Sequence, residues 1–386
     1  MFRMDIHPKI QRMVSQLCFF GFWHKGDVVT AGEKRMKLFY IIYFGLFPFI
    51  LASGGVMTQN TSEKTFSIEV TIVTAVLELR LWYIISKKEQ ICELLNRISK
   101  FRLVDQETFT IIDKKRTVFM KFLSFFITTC SLASVYVALV APFLGSEKKL
   151  FLIISIPSNW KYNELAYWMG FFCIAIQEFI AATVVLFGAI VWYLMANCAW
   201  QFEVLGDRIS KMGEIRTNFD DRSITDTERD IVYSRDLIEM AALYIHVKLI
   251  TKQLEAFLSK LFVVQIATGS VCICLSTYSI AFFEGDNFYG MFVYLTGMMY
   301  SIFDIFTITF LGNEIVLASN KLSYRLYESC WIGRGRSIRS NVLLFGTLLK
   351  KPHQMIILKM FPLTLDTFSK ILNSAYSMFN ILQRFK

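Results

Sequence analysis

Seven apolar runs, each close to the length needed to cross a lipid bilayer, dominate this sequence of 386 residues. A transmembrane helix needs about 20 predominantly apolar residues. The candidate segments are 37–57, 65–85, 122–144, 168–195, 260–283, 289–311 and 355–383. Over the whole chain 54% of the residues are hydrophobic and only 19% are charged, unlike the usual water-soluble domain. The sequence therefore predicts one all-α, polytopic membrane domain with seven transmembrane helices.

Two of the seven segments carry several charged residues. These are Glu69, Glu78 and Arg80 in the second segment, and Lys359, Asp366 and Lys370 in the seventh. Ionisable side chains in a membrane helix face protein or water rather than lipid. We therefore expect both helices to be sheltered by the rest of the protein.

The positions of Lys and Arg predict the orientation in the membrane. Of the 41 such residues, 32 lie before residue 38 or in the stretches 86–121, 196–260 and 312–354, and 6 lie on the opposite side. Lys and Arg near helix ends tend to stay cytosolic, so we expect a cytosolic N-terminus and an extracellular C-terminus. The three cytosolic stretches are expected to be helical extensions of the membrane helices. The sequon at Asn60 falls in the first external loop, where a glycosylation acceptor is expected.

The sequence offers no arrangement typical of catalysis or of metal binding. The eight cysteines fall in predicted helices or cytosolic stretches, and Cys272 and Cys274 point to different faces of a helix. The four histidines are scattered along the chain. We therefore expect no enzyme activity, no cofactor and no metal site. The net charge of +10 is spread between apolar runs, so no nucleic-acid partner is expected.

An apolar stripe runs along the cytosolic stretch 196–260. Ile238, Ala241, Ile245 and Leu249 recur at spacings of three and four, which places them on one face of a helix. Such a stripe needs a partner. Packing within the same subunit and packing against a second subunit both remain open.

The seventh segment combines a helix breaker with a polar stripe. Pro362 should kink or break the helix, because proline lacks the N–H group and clashes with the preceding turn. Beyond it, at 100° per residue, one face of the helix carries Asp366, Lys370, Asn373, Ser377, Asn380 and Arg384, and the opposite face carries Phe368, Leu372, Phe379 and Leu382. A polar stripe of this length does not face lipid. Burial against polar groups of the same bundle and a water-filled pore between subunits both remain open.

The C-terminal part of the chain resembles the insect odorant receptors. The matching residues are GNEI at 312–315, Ser319, Tyr327, Trp331 before a basic stretch, and FPLTLDTFSKILNSAYSMFNIL at 361–382. Weaker similarity runs upstream through Pro142, Trp160, Tyr167, Trp168 and Gln177. The chain lacks the long loop between helices 4 and 5 of the shared co-receptor, so it resembles a tuning, odorant-binding subunit.

The resemblance implies an odorant-gated, non-selective cation channel in the plasma membrane of sensory neurons. It would assemble as a tetramer with co-receptor subunits around a pore lined by the outer half of the seventh helix. The pore and gate positions it implies are Ser374, Ser377, Ile381, Arg384 and Phe385. Arg384 stands where the co-receptor has Gln, and a cation there should disfavour the passage of cations.

The resemblance also implies a pocket for a small volatile odorant in the outer halves of helices 2, 3, 4 and 6. The residues offered there are Thr71, Thr74, Ser134, Tyr136, Val137, Tyr167, Phe171, Phe172, Phe292 and Tyr294. An aromatic pocket with a few hydroxyl groups suits a small, mostly apolar molecule.

Three other classes of membrane protein compete with this interpretation. A G-protein-coupled receptor would have an extracellular N-terminus and an external disulfide, an acidic-Arg-aromatic triplet at the end of helix 3, and an NPxxY motif in helix 7. The sequence contains neither motif, its charges favour a cytosolic N-terminus, and no cysteine falls in an external loop. A secondary transporter predicts inverted repeats and paired broken helices, whereas the sequence has one such break. A gustatory-type receptor would share the channel architecture and differ in its ligand, so it stays open.

Overall fold

The computed structural model describes residues 2–3, 6–24, 26, 30–57, 61–99, 102–103, 106–136, 164–214, 225–281, 288–357 and 361–384. Within these ranges the helices are α1 Pro8–Phe19, α2 Ala31–Met57, α3 Thr61–Ser86, α4 Lys88–Ser99, α5 Gln106–Val135, α6 Glu164–Ser210, α7 Asp226–Ala281, α8 Phe288–Glu328, α9 Arg336–Leu349 and α10 Leu365–Arg384. Two short antiparallel pairs join β1 Phe2–Arg3 to β2 Arg102–Leu103 and β3 Ile356–Ile357 to β4 Phe361–Pro362.

Helix α6 is the centre of the bundle. Every residue from 189 to 202 is buried, which is the pattern of a helix surrounded by protein on all sides. Two amide side chains in this run donate hydrogen bonds: Asn197 Nδ2 donates to the Tyr193 carbonyl at 2.7 Å, and Gln201 Nε2 donates to the Ile98 carbonyl at 3.5 Å. Helices α7 and α8 pack along α6 and along each other.

Three helices are much longer than a bilayer is thick. Helices α6, α7 and α8 have 47, 56 and 41 residues, and at ~1.5 Å per residue each exceeds the roughly 30 Å of a hydrocarbon core. Their continuations pack with α9 in the same hydrophobic core, through Leu205, Leu237, Leu326 and Val342 among others. One continuous core therefore joins the apolar bundle to the helical extensions.

Five of the described helices are long and apolar enough to cross a membrane on length and composition alone, namely α2, α5, α6, α7 and the part of α8 from Tyr294. Helices α3 and α10 fall outside this group; α3 carries Glu69, Glu78 and Arg80, and α10 carries many polar residues along one face. The expected shelter of α3 is confirmed, since Glu69 and Glu78 are 7% and 8% exposed.

The seventh apolar segment differs from the predicted helix 355–383. It is helical only from Leu365, and Pro362 pairs with Ile356 in the β3–β4 hairpin. Proline cannot donate a ladder hydrogen bond and is tolerated in such an edge position. The chain therefore turns through a hairpin before α10 begins. Lys359 lies outside the described residues.

Two residues of the motif region hold this hairpin against α8. A Cβ atom placed on Gly312 would lie 2.5 Å from the backbone oxygen of Leu363, so only glycine fits where α8 passes the entrance to α10. About two turns further along, Ser319 Oγ accepts a hydrogen bond of 2.8 Å from the buried N–H of His353. These contacts give a physical reason for the residue types at both positions.

The substitution Gly312→Ala should move α10 away from α8. Because the added methyl group meets backbone rather than a flexible side chain, we expect a loss of roughly 1–3 kcal/mol of stability, as in overpacked cores. The unfolding midpoint of the full-length chain in detergent measures this loss. Gly297→Ala on the same helix is the matched control, since nothing lies within 4 Å of its added Cβ. Equal midpoints for the two variants would contradict the close approach.

Candidate functional site

The ten residues expected in the odorant pocket are spread over the ends of four helices. Thr74, Tyr167 and Tyr294 are buried, Thr71, Ser134, Phe171 and Phe292 are partly buried, and Tyr136 and Phe172 are exposed. Val137 lies outside the described residues. The structure brings two of the expected residues from different helices together, and it joins a third expected residue to Phe66, which was not among the ten. Tyr136 of α5 meets Phe292 of α8 edge to face at 6.3 Å between ring centroids, and Tyr294 of α8 meets Phe66 of α3 at 5.4 Å.

The expected residues of α6 are arranged differently. Tyr167, Trp168, Phe171 and Phe172 form a row of edge-to-face contacts along their own helix. Phe172 is 63% exposed, which is typical of a lipid-facing or interfacial aromatic side chain. Among these four, Tyr167 is the buried one, with 4% of its surface exposed.

Two carboxylates next to these residues tie neighbouring helices together. Ser134 Oγ of α5 donates to Glu178 of α6, and Ser276 Oγ of α7 donates to Glu69 of α3. Hydrogen bonds of this kind join helices where the surroundings offer no water. Glu69 retains one buried carboxylate oxygen without a hydrogen-bond partner.

A cavity lies further along the same helices. It is a narrow space with room for about one water molecule, and it is lined by side chains from α3, α5, α6, α7 and α8. Most of the lining is apolar or aromatic, including Phe126 and Trp192, and its polar side is formed by Arg80, Gln265, Tyr300 and Asp304. Polar groups that converge on so small a space are typical of a site for a buried water rather than for a larger molecule.

The polar side of the cavity is organised by an ion pair. Arg80 Nη2 donates to Asp304 Oδ2 at 3.3 Å, and the two side chains are only 12% and 10% exposed. The Tyr300 side chain also interacts with Arg80. The Nε atom of Arg80 is buried and has no hydrogen-bond partner. An ionisable pair inside a membrane bundle is costly to bury and is commonly functional.

None of the nine described residues of the expected pocket lines this cavity. On α3 the distance from Thr74 to Arg80 is six positions, or about 9 Å along the helix axis. The sequence singled out Arg80 as sheltered but passed over Asp304, Gln265 and Tyr300. A carboxylate inside the strongly apolar segment 289–311 was the signal that could have found Asp304.

Helix α8 separates the cavity from α10. Tyr300 and Asp304 line the cavity, whereas Ile302 and Ile305 pack with Ala375 and its apolar neighbours on α10. Phe306 continues this second face with an edge-to-face contact of 5.4 Å to Phe368. Any shift of α8 caused by the content of the cavity would therefore act directly on α10.

Helix α10 is packed on one face only. Phe368, Ile371, Leu372 and Ala375 contact α7 and α8. On the other face, the polar stripe is exposed at Asp366, Lys370, Asn373, Ser377 and Arg384 and partly buried at Asn380, and Ser374 beside it is also exposed. Lys370 and Asp366 pair at 2.7 Å while their side chains remain 73% and 69% exposed. Ile381 beside the stripe is 56% exposed, and Phe385 lies outside the described residues. The subunit itself leaves this face uncovered.

The apolar stripe of α7 is also uncovered. Ile238, Ile245 and Leu249 are 71%, 62% and 49% exposed, and Ala241 is partly buried against the core. Within the described part of the chain, no helix covers this stripe, so packing against the described helices of the same subunit does not account for it.

The segment that leads into α10 contains a buried histidine. His353 stacks on Phe202, and its Nε2 atom lies 3.6 Å from Glu255 Oε2. Glu255 also accepts the N–H of Ile356 at 2.9 Å. Burial, together with the positive charges of Lys248 and Lys252, lowers the pKa of His353 from 6.5 to about 4. The imidazole is therefore neutral in the folded protein near pH 7.

The sequence of this chain is similar to those of known proteins. The sequence profile described as 7tm Odorant receptor matches residues 60–376. Odorant receptor 94a of Drosophila melanogaster is 21% identical over 332 residues, which are 86% of this chain and 80% of that protein. Odorant receptor 46a, isoform B, of the same species is 24% identical over 203 residues, which are 52% of this chain and 50% of that protein.

Solved structures agree in fold over nearly the whole chain. The insect olfactory receptor OR5 from Machilis hrabei matches with a TM-score of 0.80 at 15% identity, covering 98% of both chains. The same receptor in complex with eugenol matches with a TM-score of 0.82 at 14% identity and the same coverage. At this identity the likeness shows the fold alone, and it confirms the predicted all-α, seven-transmembrane architecture.

The buried His353 should make the entrance to α10 sensitive to acid. An unfolded histidine takes up a proton near pH 6.5, but the folded one does so only near pH 4, so the unfolded state binds more protons between these values. The contribution of His353 to stability is therefore complete above pH 6.5 and is lost as the pH falls toward 4. Unfolding midpoints measured from pH 7.5 to pH 5 should fall less in His353→Gln than in the unchanged chain. His246→Gln, at an exposed position, should retain the original slope, and equal slopes for all three proteins would count against the assignment.

Proposed function

We propose that this chain, which belongs to the 7tm odorant receptor family, is the odorant-binding subunit of a ligand-gated, non-selective cation channel. The chain is a multi-pass membrane protein. The observation that carries the proposal is the uncovered polar face of α10, whose opposite face is packed against α7 and α8. In a bilayer such a face must meet protein or water. Four such faces around one axis would line an aqueous pore.

The ligand is proposed to be a small volatile odorant. The fold relative from Machilis hrabei has been solved in complex with eugenol, which is a molecule of this kind. The aromatic residues that join α3, α5 and α8, such as Tyr136, Phe292 and Tyr294, offer apolar surface for it at the outer ends of these helices. The proposed orientation puts the N-terminus in the cytosol and the C-terminus outside, as the distribution of Lys and Arg favours.

Helix α8 offers a route from ligand to pore. The outer end of α8 carries Phe292 and Tyr294 of the proposed odorant site, and further along the helix Ile302 and Ile305 pack on α10. A ligand that binds more tightly when α8 is shifted would favour the shifted arrangement of α8 and α10 together. The size of this effect is set by the difference between the ligand's affinities for the shifted and unshifted arrangements. Ile381, exposed beside the polar stripe, is proposed as part of the hydrophobic gate with Phe385. Hydrophobic constrictions of this kind close a pore by excluding water.

The proposed partners are the shared odorant co-receptor subunits in a heteromeric tetramer, located in the plasma membrane of sensory neurons. The exposed stripe of Ile238, Ile245 and Leu249 on α7 supports an interface through the cytosolic helical extensions. Exposed apolar stripes of this length on a helix usually mark a contact with another protein.

Odorant-evoked current should require the co-receptor. Cells that express this chain with the co-receptor should show inward cation current during application of an odorant panel, and cells that express this chain alone should not. Surface labelling of both samples provides the control for expression. Robust current from this chain alone would contradict the proposed subunit role, and absence of evoked current in both samples at normal surface levels would contradict the channel.

Neutralising Arg384 should raise relative permeability to calcium. The side chain is exposed at the end of the polar stripe, and with the C-terminus outside it would lie near the outer mouth of the pore. At about 8 Å in water a unit charge costs a divalent ion ~1 kcal/mol and a monovalent ion half as much, so we expect Arg384→Gln to change the permeability ratio about two- to fivefold. Reversal potentials in calcium and sodium solutions measure this ratio.

The matched control for this prediction is Arg339→Gln, because Arg339 is exposed on α9 and away from α10 while the change in net charge is the same. Odorant sensitivity should be nearly equal in both variants. Reversal potentials unchanged by Arg384→Gln would place its side chain away from the pore axis.

A further inference from the structure

We propose that Arg80 is a positioning residue that clamps α8 to α3 through Asp304 and Tyr300, and that this clamp opposes the movement of α8 by which a ligand would act on α10. The inference rests on the proposed function. It adds a restraint that the ligand must overcome, and it assigns a role to an ion pair that lies outside both the expected odorant site and the proposed pore.

The clamp joins one side chain of α3 to two side chains of α8. Arg80 Nη2 donates to Asp304 Oδ2 at 3.3 Å, and Arg80 also interacts with the Tyr300 side chain. Asp304 and Tyr300 are four positions apart, so they lie on the same face of α8, about 6 Å apart along its axis. One guanidinium group that reaches both restrains α8 against sliding and against rotation.

The clamp matters because α3 and α8 otherwise have little contact. Helix α3 packs mainly on α2 and α7, and α8 packs mainly on α6 and α7. The described contacts between α3 and α8 include the aromatic pair Phe66 and Tyr294. Arg80 lies fourteen positions further along α3 than Phe66, or about 21 Å along the helix axis. A ligand that moves the outer aromatic pair apart would therefore pull against the clamp.

The site is built so that a water molecule completes the clamp. The Nε atom of Arg80 is buried and has no hydrogen-bond partner, and a buried donor without an acceptor is costly. The narrow space that Arg80, Asp304 and Gln265 line together has room for about one water molecule. A water in this space would accept a hydrogen bond from Arg80 Nε and donate one to Asp304. The clamp would then hold α8 through water as well as through side chains.

The residue next to Asp304 joins α8 to α10. Ile305 packs with Ala375 of α10. On the α7 side, a Cβ atom added to Gly269 would lie 2.6 Å from the Ile305 side chain. Because Ile305 is tightly fitted on the α7 side and packed on α10, a movement of α8 at this level changes its contact with α10. The clamp therefore holds the part of α8 that acts on α10.

The free energy held in the clamp must be lost when α8 moves. The Arg80 and Asp304 side chains are only 12% and 10% exposed, so water screens their charges weakly. Hydrogen bonds between charged groups are among the stronger ones in proteins, and they weaken as the groups separate. A ligand has to offset this loss through its difference in affinity for the two arrangements of α8. Removing the clamp should therefore make the channel easier to open.

The test removes both charges in the variant that combines Arg80→Met with Asp304→Leu. This change leaves no lone buried charge, and replacement of a buried pair by apolar residues is often neutral for stability. Cells that express the variant with the co-receptor should show a higher resting current. Their half-maximal concentration for any active member of a panel of eugenol, acetophenone, cyclohexanone and 1-octanol should fall about 5- to 50-fold, within the usual range of coupling between sites.

The matched control combines Lys115→Met with Glu203→Leu. It removes an ion pair of 2.6 Å that joins α5 to α6 and does not involve α8. Resting current and half-maximal concentration should stay at the values of the unchanged chain. Tyr300→Phe removes one hydroxyl group and keeps the ring, so it should shift both values in the same direction as the double variant but less.

A second measurement tests the clamp without any current. In the purified full-length chain, Arg80→Met alone and Asp304→Leu alone should each lower the unfolding midpoint more than the double variant does. Each single change leaves one buried charge without its partner, so the two effects are not additive. Surface labelling of the cells controls for expression.

The outcomes separate the clamp from the channel. Additive effects on the midpoint, with the double variant as low as the sum of the single ones, overturn the clamp. Non-additive midpoints with unchanged resting current and unchanged half-maximal concentration in active channels overturn its role in opposing movement of α8. Non-additive midpoints with no current from any co-expressed sample at normal surface levels support the link between α3 and α8 and count against the channel.

Discussion

A polar group inside a membrane bundle is costly unless it finds a partner within the protein, and this constraint shapes how the helices of this chain are joined. Among the described residues, the bonds between side chains of different helices inside the bundle include Glu69 with Ser276, Glu178 with Ser134, and Arg80 with Asp304. Together they connect α3 to α7, α6 to α5, and α3 to α8. Apolar packing alone is non-directional, so these bonds add the directional contacts that fix which helices are neighbours.

Patterns among neighbouring residues in the sequence were sufficient to predict the helices of this fold, but they were insufficient to predict which elements contact one another. Lengths of apolar runs predicted the seven-helix architecture, and the charges on α3 predicted its shelter, because both depend on adjacent residues. The proline at position 362 predicted a break in the helix. The β3–β4 hairpin found there was not predicted, because the N–H of its residue Ile356 is bonded to Glu255, which is 101 positions away in the sequence. Asp304 was missed for a similar reason. One carboxylate barely changes the mean hydropathy of an apolar segment, and Arg80 is 224 positions away.

The expected odorant-pocket residues show a second limit of sequence reasoning. Aromatic side chains at the ends of membrane helices serve as interfacial anchors, as core residues or as ligand contacts, and residue type does not separate these roles. Exposure does so in part, since Tyr167 is buried and Phe172, five positions later, is exposed. The central position of α6 was likewise invisible in its composition, because a fully buried helix and a lipid-facing helix have similarly apolar sequences.

Because α10 is packed on one face only, selection acts differently on substitutions at its two faces. A substitution at Ala375 or Ile371 changes packing inside the chain that carries it, because both residues contact α7 and α8 of the same chain. Asn373 and Ser377 lie on the face that the other described helices of this chain leave uncovered. Within a single helix of 20 residues, variation on the packed face is therefore limited by the fold of the chain itself, whereas variation on the exposed face is limited by what that face meets in the membrane.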